Sequence, residues 1–137
     1  MFKLVENLAF WWPVKVTEPD ANRMGKTVEH TFEIQFELLP EEINRNSARE
    51  RAAILAEINA ETTDAEMVEI MARVADHDEA AARRLVRDWR KIADENGEPL
   101  AFSPETFTAV WAHERVRVAI VKAYQDAVTL DKARLKN

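Results

Sequence analysis

The side chains able to make or break bonds are few and scattered. Serine occurs twice, at Ser47 and Ser103, and histidine three times, at His30, His77 and His113, with no histidine in helical reach of another. A serine–histidine–acid triad would need distant segments, and Ser103 before Pro104 already has a local task as helix N-cap with proline in the first turn. Asp76-His77-Asp78 is the one cluster with metal-ligand types. It lacks a second histidine and lies where a helix junction would use aspartate as a cap. Glu41-Glu42 and Asp94-Glu95 are adjacent pairs whose side chains diverge, which does not build a two-carboxylate site. Cysteine is absent, so thiolate chemistry, cysteine metal sites and disulfides are excluded. The only glycines are Gly25 and Gly97, 97 − 25 = 72 positions apart, and a phosphate-cradling loop needs two close together. The expectation is a protein that is not an enzyme and has no cofactor and no metal.

With 137 residues the chain has the length of one domain, 1–137. At this size about two thirds of the unfolded surface can be buried. Charged residues make up 32% and the net charge is −6. Residues 1–39 carry −2, residues 40–97 carry −5 and residues 98–137 carry +1. An acidic middle is unfavourable for a nucleic-acid binder. No stretch approaches the roughly 20 apolar residues of a membrane helix. Met1 to Val16 holds Glu6 and Trp11-Trp12 rather than a basic start and an apolar run, so no signal peptide is expected. Without cysteine the chain does not depend on an oxidising compartment, and the cytoplasm is the default.

Periodicity supplies the elements. Phe10 to Val16 is aromatic and β-branched and predicts a strand; Thr17 to Lys26, with Pro19, Asp20, Asn22 and Gly25, predicts a loop. From Val28 to Leu38 apolar and polar residues alternate, with Val28, His30, Phe32, Ile34, Phe36 and Leu38 on one face. Two such strands make an antiparallel hairpin over 1–39, with His30 at its core or rim. After Pro40 the period turns helical, with helices expected at about 41–60, from the Thr63 capping box, and from Asp78 through Ala82, Leu85, Val86 and Trp89. Asn96-Gly97 marks a short turn within 94–102, a helix starts at Ser103-Pro104, and the last helix runs from Glu114 to Leu130. The fold class is therefore α+β: a small N-terminal antiparallel sheet, then a helical body over 40–137 with four or five helices.

Two surface features rise above this background. Phe10, Trp12, Val14 and Val16 share a strand face, leaving Trp11, Pro13 and Lys15 on the other. Pro13 lacks an N–H and favours an edge strand, where an outward tryptophan is a docking site unless a helix or a second molecule covers it. Arg83, Arg84, Arg87, Arg90 and Lys91 fall on one face of the expected helix. They are either a seat for an acidic partner or a solvated face paired with Asp76, Asp78, Glu79 and Asp88. A DNA-reading helix pair over 64–89 is opposed by the −5 charge of its region. Trp11, Trp12, Arg83, Arg87, Trp111 and Tyr124 are the candidate partner-binding residues.

From Trp89 to Tyr124 the order is a tryptophan, the acidic turn Asp94-Glu95-Asn96-Gly97, Phe102-Ser103-Pro104-Glu105 opening a helix, and Val116-Arg117-Val118-Ala119-Ile120-Val121-Lys122-Ala123-Tyr124 closing it. This resembles the C-terminal half of the tail assembly chaperones of bacteriophages with long, non-contractile tails. The strand with Pro13-Val14-Lys15-Val16 and the Phe-rich alternating strand are similar to the N-terminal half of that family in outline. Asp88 stands where the family pattern often has glycine, and Asp20-Ala21 where it has a glycine-containing turn. The resemblance implies a small protein of the host cytoplasm, absent from the finished particle, that coats the helical tape measure protein, keeps it soluble and helps recruit tail tube subunits. Self-association is compatible with it; nucleic acid and membrane are not expected partners. The alternative is a structural virion protein of the tail or head–tail connector.

Overall fold

The computed structural model describes residues 1–129. Strands β1 (Ala9–Pro19) and β2 (Thr27–Glu37) pair antiparallel along their whole length, Phe10 opposite Phe36 and Val14 opposite Phe32. The loop between them is closed by the Asp20 amide bonding the Lys26 carbonyl at 2.9 Å, and Gly25 takes the positive φ of 73° that side chains resist. Alternation in β2 sends Phe32, Ile34 and Phe36 to a buried face. His30, on the same register, lies beyond the core, 62% exposed and 3.4 Å from the Glu18 carboxylate.

Among the described residues four helices follow: α1 (Glu41–Leu55), α2 (Asp64–Leu85), α3 (Pro104–Trp111) and α4 (Glu114–Val128). The Thr63 capping box opens α2 as expected, with the Glu66 amide donating to the Thr63 hydroxyl at 3.1 Å. Ser103 caps α3, with Thr106 completing the box and Pro104 in the first turn. The expected helix end at Leu130, like the end of the expected domain, lies outside the described residues. The first helix closes at Leu55 rather than near residue 60.

Two expectations are corrected. Asp78 starts no new helix: α2 runs through it, since nothing between Asp64 and Leu85 breaks a helix, and the Asp78 side chain pairs with Arg51 of α1 at 2.9 Å. Val86 to Trp89 are not helical either. Val86–Arg90 forms a third strand, β3, antiparallel to β2, so the hairpin is part of a three-stranded sheet of order β1-β2-β3. Ile34 faces Trp89 and Phe36 faces Val86, with a register shift between Gln35 and Phe36. That bulge lets Val86 and Trp89, three residues apart, both point inward.

The inner sheet face packs on Phe107, Val110 and Trp111 of α3 and on Ala119, Ile120 and Ala123 of α4, forming one core. Trp89 organises it: its ring lies 5.1 Å from Phe102 and 6.4 Å from Phe107, and its indole N–H donates to the Leu100 carbonyl at 2.7 Å. The segment after β3 thereby returns over the sheet through the Asp94 turn, where Gly97 has φ 80°. Trp89→Phe leaves the Leu100 carbonyl without that donor. The expected loss is about 1–3 kcal/mol, read as a lower urea midpoint at unchanged m-value.

Candidate functional site

The expected partner-binding residues are not brought together. Trp12 faces inward beside Phe10, at 6.3 Å between ring centroids, and packs against the core. Trp111 is 6% exposed, and Tyr124 sits 5.5 Å from Phe36. These three rings are core material first.

Trp11 points to the outer face of the sheet, as its strand position predicts, but the cover comes from within the chain. The Arg90 guanidinium of β3 lies 4.0 Å from the Trp11 ring centroid and also donates to the Glu33 carboxylate of β2, which a second cation, Lys91, reaches at 3.2 Å. One arginine therefore ties all three strands by a cation–π contact and an ion pair. Next to it Arg87 makes two bonds to Glu37, at 3.2 and 3.1 Å.

The basic helical face is thus a correction as well. Arg87 and Arg90 stand on β3 as cross-strand partners of β2, because the chain leaves the helix at Leu85. Arg83 remains on α2 and ties it to α3, donating to Glu79 at 2.9 Å and to the Thr108 hydroxyl, with its guanidinium 5.9 Å from the Phe107 ring. Arg84 reaches Ser47 of α1 at 3.4 Å. These cations hold carboxylates and hydroxyls of their own chain. His77, largely buried on α2, has Nε2 3.3 Å from Glu50. Among the described residues no group of three His, Asp or Glu is arranged to hold a metal ion.

The site that the sequence reading missed is a groove between α2 and α4 with a volume of about 1190 Å³. Its α2 wall carries the stripe Met71, Val74, Ala75, Asp78, Ala82 and Leu85 with Asp76, Glu79 and Ala81 beside it, and its α4 wall carries Glu114, Arg117, Val118, Val121 and Gln125 with Lys122 beside them. Met71, Val74, Asp78, Ala82 and Leu85 advance by threes and fours, as do Glu114, Val118, Val121 and Gln125, so each set is one face of its helix. Trp111 and Ala112, at the end of α3, close the groove between them. Three apolar residues stay open to solvent along it: Met71 is 47% exposed, Val118 60% and Val121 44%. A signal existed in the sequence. Val118 and Val121 lie outside the Val116, Ala119, Ile120 and Ala123 face that α4 gives to the sheet, so α4 is apolar on two sides.

No family model, curated protein or solved structure matches this chain. No helix among the described residues is long and apolar enough to cross a membrane.

The outer-face cluster sets a pH dependence. Hydrogen bonds from Arg90 and then Lys91 hold the Glu33 carboxyl below its ordinary value of 4.5. A depressed carboxyl stabilises the fold while it is ionised, so its contribution is whole above the ordinary value and disappears as pH falls through the folded one. Glu33→Gln is expected to lower Tm at pH 7. The gap to the wild-type chain should shrink below pH 4.5 and close in stronger acid, as followed by circular dichroism melts across pH.

Proposed function

We propose that this chain is a non-enzymatic tail assembly chaperone of a phage or prophage, acting in the host cytoplasm. It binds the tape measure protein, keeps that protein soluble, and helps bring tail tube subunits onto it. The observation that carries the reading is the α2–α4 groove: an apolar trough with charged rims, open along two helices of an acidic body. A long helical chain with exposed apolar seams presents the complementary shape, since an amphipathic helix docks into such a trough by residues spaced three and four apart. Many copies along one partner turn a weak contact into firm coating, because each further contact on the same chain is intramolecular. The order of residues from Trp89 to Tyr124 supports the same reading through its resemblance to this family.

Co-expression with a candidate tape measure protein tests it. The partner should be soluble with this chain and insoluble without it; equal solubility in both cases sinks the assignment. Val118→Glu/Val121→Glu alters exposed positions and should leave the fold intact by circular dichroism. Losing the valine contacts and adding two carboxylates should weaken binding by about tenfold or more, seen as loss of the protected soluble fraction. Finished particles examined by mass spectrometry should lack the chain; its presence there would favour a structural virion component instead.

A further inference from the structure

The groove has a sign as well as a shape. Among the described residues three cations line it: Arg51 pairs with Asp78 at 2.9 Å and Lys122 with Asp126 at 2.8 Å, while Arg117 donates to the Trp111 and Ala112 carbonyls at 3.0 and 3.1 Å. Of its four carboxylates, Asp78 and Glu79 are engaged by Arg51 and Arg83. Asp76 on the α2 wall and Glu114 on the α4 wall have no side-chain partner among the described residues. Among the described residues, negative charge without a side-chain partner therefore stands on both rims, with the apolar floor between.

The length is set by the walls. Met71 to Leu85 is about 21 Å of helix and Glu114 to Gln125 about 16 Å, at 1.5 Å per residue. That is room for three to four turns of a third helix. Both walls are side-chain ridges of helices, which offer no open backbone edge for an added strand and accept another helix by ridges into grooves.

We propose that the groove takes an amphipathic helix of three to four turns whose apolar seam is flanked on both sides by lysine or arginine. The inference deepens the chaperone reading and rests on it for the occupant being a segment of a long helical protein. Lysine or arginine on each flank sets a cation beside Asp76 and Glu114, whereas acidic flanks would set like charges against them. Because the rims are exposed, the preference is strongest at low salt.

The probes are two hydrocarbon-stapled helical peptides of about 14 residues, the span of the longer wall, with one shared leucine seam and either lysine or glutamate flanks. Titrated by fluorescence anisotropy into the full chain at low salt, the lysine peptide should bind about tenfold or more tightly than the glutamate peptide, and the gap should narrow to about twofold at 0.5 M salt. Asp76→Asn should cut the low-salt gap several-fold without changing the far-UV circular dichroism, and Val118→Glu/Val121→Glu should abolish binding of the lysine peptide. Equal binding, preference for the glutamate peptide, no binding of either, or a gap untouched by Asp76→Asn overturns the proposal. No tail protein is present in this experiment. A lost charge preference with intact tape measure protection would remove this inference and leave the chaperone reading; the converse would leave the groove assigned and remove the chaperone.

Discussion

Everything in the fold answers to the inner face of β2. Phe32, Ile34 and Phe36 form a stripe that must be kept from water, and a two-stranded ribbon cannot do that. β1 supplies Val14 and Val16 on one side. The other side is filled only when the chain has travelled through α1 and α2 and returned as β3 with Val86 and Trp89. The length of α2 follows from this duty, since its C-terminal end must deliver β3 to the edge of β2. The helices α3 and α4 then seal the face, with Phe107 and Ile120 almost wholly out of solvent.

The outer face of the same sheet is held by charge. Glu33 and Glu37 of β2 point outward between two edge strands, and β3 answers them with Arg90 and Arg87, joined by Lys91 just past the strand's end. Exposed pairs of this kind each add little; the register of β3 is set by Val86 and Trp89 buried opposite Phe36 and Ile34, and the ion pairs agree with it. Trp11 takes part from β1 by lying under Arg90. An outward tryptophan on an edge strand invites association, and a guanidinium laid over it blunts that invitation. Pro13 does the same to the backbone edge, since it offers no N–H to an added strand.

Local rules were enough for the hairpin, the Thr63 and Ser103 caps and the Asn96-Gly97 turn, because each depends on neighbours in sequence. β3 was hidden for a specific reason. Ala82, Leu85, Val86 and Trp89 are spaced as one face of a helix, and the bulge at Arg87 reproduces that three-residue step within a strand. Spacing alone could not separate the two; only the exposed edge of β2, a long-range fact, decides. Arg87 and Arg90 moved with it, from the expected helix to the strand. The groove was hidden differently. Val118 and Val121 read as surplus on a helix already supplied with a core face, and the distance between α2 and α4 is set by α3 and the sheet rather than by either sequence.

That surplus bears on function by an argument from cost. Valine is a middling helix former because its branched Cβ restricts χ1 against the preceding turn. At a solvent-facing helical position alanine, glutamate or lysine would serve the helix better and the solubility no worse. Val118 and Val121 help neither the core of this chain nor the formation of α4, and with Met71 across the groove they leave apolar surface in water. An acidic body and charged rims keep such a stripe narrow enough to tolerate in an isolated molecule. Under the proposed chaperone role, a stripe of that width would suit a partner helix held weakly by each copy and firmly by many, with the net charge of −6 keeping the unoccupied molecule apart from its copies.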